Sequence, residues 1–439
     1  MTFYFLLFLV AFFSLFMAKR LADEATRSGE AMPRGRIFLW FLLAFLAFEI
    51  PAALRYGVGT DYLFRYLPDY QTMMASGKEP DMEAFFVLLY RFFYHTHLPF
   101  QWFFVITSFL INGFFLGAIA LDKNHEYPLS ISIFFLNCVY FCSLSNIRQY
   151  LALAIGVFVF SWNINRKRSP WQVGGSFLLL LWSATCHFSG LLYLVLYAFL
   201  LFRPRGRFLA SITIAFVLLS PLITAMVYRF LENTKYVYFL TNYLQYGRGV
   251  AQLVFILPDF FFFFVSIYLI FFTKKGQKNP LVYQSLLFSC FGFISYLITY
   301  ILKSNELFLR IYHMFYAFPI VLAPHLLRCF REEHKWLVLE GKKDGRLYAA
   351  YDLASLPLSF IEAKPQELLF LVWKGEKYVI PFSPSEMSYQ YRRTLCTGYK
   401  RPAYSFCKYV IYLLMCVTLW MQEFYVPIYG VLPYRSIFG

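Results

Sequence analysis

The chain has 439 residues, of which 60% are hydrophobic, 22% aromatic and 15% charged, with a mean hydropathy of +0.55. Soluble domains carry about 25% charged residues, so a soluble globular class is excluded, and continuous apolar runs argue against the alternating pattern of a β-barrel. The formal charge of +16 does not indicate nucleic acid here: no aromatic-basic module is present, and basic loops beside a membrane account for the excess, with anionic membrane lipids as partners.

The expected fold is therefore an all-α polytopic membrane protein with about twelve transmembrane helices. The apolar runs place them at 2–17, 37–54, 98–120, 128–144, 148–163, 171–185, 188–202, 208–229, 250–273, 281–302, 308–328 and 405–421. Phe3 to Met17 lacks a basic leader and a small-residue cleavage site, so it reads as a retained first helix. The eight cysteines have no paired spacing, and Cys138, Cys142, Cys290 and Cys416 fall in apolar runs, which points to core packing.

Basic residues set the orientation. Lys19, Arg20, Arg27, Arg34 and Arg36 follow the first span; Arg166-Lys167-Arg168, Arg203-Arg205-Arg207 and Lys274-Lys275-Lys278 mark three further loops. All four share one side, read as cytoplasmic, if 128–163 and 171–202 each fold as a pair of short spans, the second pair broken near Cys186 to Gly190. Both termini are then outside. Residues 1–330 form the membrane core, with an external loop at 55–97 and an amphipathic interfacial helix at 81–95, N-capped by Asp81. Residues 331–403 are charged and punctuated by Pro and Gly. Lys335 to Glu340 and Arg346 to Asp352 flank a turn signal, as do Leu368 to Lys374 and Lys377 to Phe382, so a small cytoplasmic β-rich insertion is expected there. Residues 404–439 hold the last helix and an external tail.

This topology brings several chemistry-bearing residues to the outer face. Arg55 to Tyr62 packs a cation, an acid, two glycines and two aromatic rings into eight residues. Arg148, between Asn146 and Gln149, lies near membrane depth, where an arginine costs about 2.5–3.5 kcal/mol; its planar fork matches phosphate oxygens. Arg310 is a second such candidate, with Tyr312 and His313 beside it. Asp61 and His187 are alternative general bases, and the residues do not choose between them. Arg435 lies in an aromatic, cationic tail. No phosphate-cradling glycine loop, zinc spacing or nucleophile elbow is present, and no metal ligand set is expected.

The motifs Arg-Tyr-Gly-Val-Gly-Thr-Asp-Tyr at 55–62, Glu83 to Leu89, Asn-Ile-Arg-Gln-Tyr-Leu-Ala at 146–152, Cys-His-Phe-Ser-Gly at 186–190, Arg-Ile-Tyr at 310–312 and Pro-Tyr-Arg-Ser-Ile-Phe at 433–438 occur in this order. Together they resemble the EpsG family of Wzy-like polysaccharide polymerases, except over 331–403. The resemblance implies a metal-independent glycosyltransferase without a cofactor in the bacterial cytoplasmic (inner) membrane, joining oligosaccharide repeat units carried on undecaprenyl pyrophosphate. It implies Arg55, Arg148 and Arg310 as pyrophosphate contacts, Asp61 or His187 as base, and Tyr62, Asn146, Gln149, Tyr312, His313 and Arg435 as substrate-lining residues. A chain-length regulator is a further expected partner. A glycan ligase, a lipid-linked oligosaccharide flippase and a membrane O-acyltransferase are the competing readings; a flippase would be expected to carry internal pseudo-symmetry, and none is evident.

Overall fold

The structure, a computed structural model, describes residues 2–28, 31–165, 169–202, 257–273, 313–330 and 402–420, five strands between 332 and 400, and scattered positions within 208–229 and 282–289. The chain divides into two compact units. One comprises Met1–Leu326 with Tyr409–Gly439, the other Leu327–Lys408.

Helices α1 (Thr2–Ser28) and α2 (Arg34–Leu54) open the first unit as a packed pair. α1 runs well past the apolar stretch that ends at Met17. Its continuation is held by Lys19–Asp23 at 3.3 Å and Arg20–Glu24 at 2.8 Å, both i,i+4 pairs. Hydropathy marks the membrane and not the helix end, which is why the expected boundary was short.

Short helices follow α2. A π-turn at Tyr62–Tyr66 leads into α3 (Leu67–Ser76), and α4 spans Ala84–Thr96. α4 buries Phe86, Leu89, Tyr90 and Phe93 and exposes Leu88 and Phe92, an amphipathic pattern. Its N-cap position is Glu83, not Asp81, and no side-chain oxygen caps it. The expected Asp81 cap is thus corrected: the backbone carbonyl of Asp81 instead accepts from Arg65 Nη2, and Glu83 is drawn away by other partners.

α5 (Gln101–Ala120) packs on α2, α8 (Ile147–Asn165) on α5, and α9 (Pro170–Cys186) on α8. Between α5 and α8, the run expected as one span at 128–144 is broken. α6 (Tyr127–Leu136) and α7 (Val139–Ser145) meet at 49°, with Cys138 in the left-handed region at φ 54°. Every residue of α6 is buried. Around the break sit Phe8 stacked on Phe135 at 4.7 Å, Phe48 against Tyr140 at 4.8 Å and Tyr4 against Phe141 at 5.1 Å. An uninterrupted apolar sequence carries no mark of this bend; the aromatic packing from α1 and α2 decides it.

α9 ends at Cys186, and a 3₁₀ turn at Phe188–Gly190 leads into α10 (Leu191–Phe202). The break thus lies at 187–190. α11 (Leu257–Phe272) and α12 (Pro319–Arg328) follow, and α13 spans Pro402–Trp420. Polar side chains bind the helices together, as expected where lipid offers no hydrogen bonds. Asn163 donates to Ser176 Oγ at 2.8 Å and accepts from Tyr197 at 3.1 Å; Tyr193 donates to the Met314 carbonyl at 3.0 Å. Among the described residues, five helices are long and apolar enough to cross a membrane, or six if α6–α7 is one broken span. Much of 203–312 and all of 421–439 lie outside the described residues, and with them several of the twelve expected spans and the expected C-terminal tail. Of the cysteines expected in the core, Cys138 and Cys142 are buried and Cys416 is exposed, so Cys416 is corrected to a surface position; Cys290 is outside the described residues.

In the second unit, strands β1 (Glu332–Gly341), β2 (Leu347–Asp352) and β5 (Tyr391–Lys400) form an antiparallel sheet in the order β2-β1-β5, and β3 (Leu369–Trp373) pairs with β4 (Glu376–Ile380). Trp336 stands opposite Asp352 on one side and Cys396 on the other. β5 had no counterpart among the expected β-prone runs.

The α9–α10 break is held by a close backbone approach. A Cβ on Gly190 would stand 2.7 Å from the Ser183 carbonyl, whereas one on Gly174 would meet nothing within 4 Å. Gly190→Ala is expected to destabilise the protein by about 1–3 kcal/mol and Gly174→Ala to change stability by less than about 0.5 kcal/mol, as read by thermal unfolding in detergent.

Candidate active site

The C-terminus of α2, the N-termini of α5 and α8 and the C-terminus of α9 lie at one end of the membrane unit. The last carbonyls of α2 need partners. Arg55 supplies one itself, donating from Nη1 to the Ala52 carbonyl at 2.7 Å; Gln101, at the start of α5, donates to the Ala53 carbonyl. Arg55 is only 1% exposed, and its guanidinium lies 4.4 Å from the Phe104 ring centroid, a cation–π contact. Below it, Glu49 of α2 is buried and accepts from Ser108 Oγ at 2.7 Å and Asn112 Nδ2 at 2.9 Å, both on α5.

Beyond Arg55, Gly57 and Gly59 take positive φ of 63° and 96°. Gly59 lies against the end of α7, where a Cβ would fall 2.6 Å from the Leu144 carbonyl oxygen. Thr60 then shares a 2.7 Å hydrogen bond with Ser145, and Tyr62 stacks on Phe104 at 4.7 Å. The glycines thus place the turn directly on the α7–α8 corner, from which Arg148 emerges.

At that corner, Arg148 Nη1 donates to Glu83 Oε2 at 2.6 Å, and Glu83 Oε1 faces His187 Nε2 at 3.8 Å. The three side chains are 23%, 21% and 15% exposed respectively: enclosed, yet open to a ligand. His187 begins the 3₁₀ turn, where the Ser189 backbone N–H donates to its Nδ1 at 3.3 Å, with Ser189 Oγ also in contact. A backbone N–H can only donate, so the network assigns the ring proton of a neutral His187 to Nε2, facing Glu83. The Tyr66 phenol, raised well above its usual range by burial, neighbours Arg148 and Asp61. One carboxylate therefore ties α4, α8 and the α9–α10 break together.

The loop over this corner is strapped down from outside. Arg91 forms a two-pronged pair with Glu79 at 2.5 and 2.9 Å, and Tyr70 donates to the Leu98 carbonyl at 2.7 Å. Hydrogen bonds from Arg91 hold the Glu79 carboxyl below its ordinary range. The sign is that of a depressed acid: the pairing is present at neutral pH and lost as pH falls through the lowered value. Both groups are exposed, so salt also weakens it.

Of the residues expected at the site, Arg148 and His187 meet through Glu83. Asp61 is half-buried at the start of the π-turn and reaches the cluster electrostatically through Tyr66. Tyr62 is buried against Phe104. Asn146 ends α7, its carbonyl accepting the Tyr150 N–H at 3.0 Å, and Gln149 is buried. His313 is buried, with Nδ1 3.3 Å from the Tyr150 hydroxyl. Arg55 turns inward to its own helix end. Arg310, Tyr312 and Arg435 lie outside the described residues. Sequence reasoning passed over Glu49, and took Glu83 as the first residue of the 83–89 motif without giving it a role. An acid in the middle of an apolar run was the available signal for Glu49. Glu83 stands near Asp69, Glu79 and Asp81 in sequence, and spacing alone does not single it out. Among the described residues no group of three or more His, Cys, Asp or Glu side chains is arranged to hold a metal ion.

The model of one protein family, described as the EpsG family, matches residues 38–339, which includes Arg55, Glu83, Arg148, His187 and Arg310. No curated protein and no solved structure matches the chain.

The two glycines should respond differently to alanine. Gly57 has open space beside it, so Gly57→Ala meets only the left-handed strain of about 1–2 kcal/mol. Gly59→Ala adds a backbone clash and should lower the melting temperature further while raising hydrogen exchange across 55–66. Equal melting temperatures for the two variants would show that Gly59 does not seat the loop.

Proposed function

The chain belongs to the EpsG family, a family of Wzy-like polysaccharide polymerases, and on that premise we propose that it transfers an undecaprenyl-pyrophosphate-linked glycan onto the non-reducing-end hydroxyl of a second lipid-linked repeat unit. The reaction is placed at the outer face of the bacterial cytoplasmic membrane, with the Arg148 end of the helices outward, the basic loops inward and both termini outside. The observation that carries the reading is the Arg148–Glu83–His187 cluster, a partly open, charged site built on three helix ends.

In this reading the acceptor hydroxyl oxygen attacks the anomeric carbon of the donor glycan. The carbon–oxygen bond to pyrophosphate breaks with inversion, and the lipid pyrophosphate leaves as an anion. Positive charge placed where the leaving group develops its charge lowers the barrier. Arg148 supplies it, with Arg310 as the second contact; Arg55 acts from behind, closing α2 and bracing the Gly57–Tyr62 loop. In the absence of an anion Glu83 occupies Arg148. Pyrophosphate exchanges with that carboxylate, because a guanidinium fork binds phosphate oxygens equally well. The freed carboxylate takes the proton of the acceptor hydroxyl, oriented by the Nε2–H of His187. Asp61 and Tyr66 complete the acid–base surroundings, and Tyr62, Asn146, Gln149, Tyr312, His313 and Arg435 define the walls. The Leu327–Lys408 unit is a surface for a chain-length regulator.

The test is to incubate purified protein with lipid-linked repeat units, without nucleotide sugar or acyl donor. Longer glycan ladders are the expected product; transfer of units across the bilayer without elongation would instead identify a flippase. Arg148→Lys keeps the charge but loses the fork and should slow elongation about 10²–10³-fold, with an unchanged melting temperature. Glu83→Gln should cost about 10²–10⁴-fold. Wild-type rates in Glu83→Gln, together with loss in Asp61→Asn, would move the base to Asp61.

A further inference from the structure

A cavity of about 570 Å³ opens between α2 and α5 at the end of the membrane unit opposite Arg148. It is within the 300–1,000 Å³ range of ligand sites. Its walls are apolar, with Phe38, Phe41 and Phe45 of α2 facing Phe109 and Gly113 of α5. Two of these rings are braced: Phe45 meets Phe109 edge-on at 5.5 Å, and Phe41 meets Tyr127 edge-on at 5.0 Å. Gly113 opens the floor, since a Cβ there would meet nothing within 4 Å.

The polar groups are confined to one end. Arg34, the first residue of α2, and His125, in the loop before α6, both line it. His125 is engaged, with Nδ1 3.4 Å from Asp23 Oδ1. Arg34 is exposed and forms no ion pair among the described residues. An apolar trough that ends at an exposed guanidinium matches a molecule with apolar chains and an anionic head.

Length selects the class. From Arg34 to Phe45 the groove follows α2 for about 16 Å at ~1.5 Å per residue, close to half of a hydrocarbon core of about 30 Å. That is the depth of one leaflet. A polyprenyl chain entering from the Arg148 end would arrive tail first and bring no phosphate to Arg34. We propose that this groove is a binding site for an anionic glycerophospholipid of the leaflet on the basic side, its acyl chain between α2 and α5 over Gly113 and its phosphate at Arg34. The site is separate from the reaction centre and does not depend on the polymerase reading.

The test uses native mass spectrometry of the full-length detergent-purified protein titrated with phosphatidylglycerol or phosphatidylcholine. Wild type should retain one phosphatidylglycerol in preference to phosphatidylcholine. Gly113→Trp fills the groove and should lose that retained lipid. Arg34→Gln leaves the groove open and should cut the preference for phosphatidylglycerol about fivefold, the worth of one basic residue at a lipid surface. Thermal unfolding checks that each variant is folded, and Arg34→Gln carries the test if Gly113→Trp is not. An unchanged lipid count in folded Gly113→Trp, or an unchanged preference in Arg34→Gln, would overturn the proposal. So would displacement of the phospholipid by equimolar polyprenyl phosphate, which would assign the groove to a substrate chain.

Discussion

A part-buried cation at the end of membrane-spanning helices is stabilised by a counter-charge inside the protein, because lipid supplies none. Arg148 finds it in Glu83, and that pairing organises this end of the molecule. Glu83 precedes α4, Arg148 begins α8, and His187 ends α9, so one carboxylate joins three segments far apart in the chain. The helix that follows Glu83 is thereby tied to the ends of α8 and α9.

The same need explains Arg55. Its position at the end of α2 suggests a group offered to solvent, but the orphan carbonyls of α2 and the face of Phe104 claim it first. Glu49, buried six residues earlier on α2, is satisfied by Ser108 and Asn112 in the same way. Two arginines of similar sequence context therefore differ in kind: Arg55 is consumed by structure within its own helix end, while Arg148 is part-exposed and paired with a carboxylate from a distant segment.

The two ends of the helices also differ in chemistry. The end at Arg148 holds a dense network built on glycine turns and aromatic stacking. At the other end Lys19 reaches Glu126 at 3.6 Å, and Asp122 accepts from the Glu126 backbone N–H at 3.0 Å. There the polar groups close helix ends and leave Arg34 over an apolar groove.

By itself, the sequence determined the class, the break at 187–190 and the polar character of Arg148 and His187, because hydropathy and charge are local properties. It also placed the β-prone runs around Lys342 to Gly345 and Gly375, where turn chemistry is local. Tertiary structure alone decided the bend at Cys138, the continuation of α1 past Met17, the inward turn of Arg55 and the choice of Glu83 among neighbouring acids. Each of these depends on which distant side chain arrives: Phe135 from α6 onto Phe8, Gln101 beside Arg55, Arg148 and His187 on either side of one carboxylate. An acid's role follows from its distance to a cation, and spacing along the chain does not contain that distance.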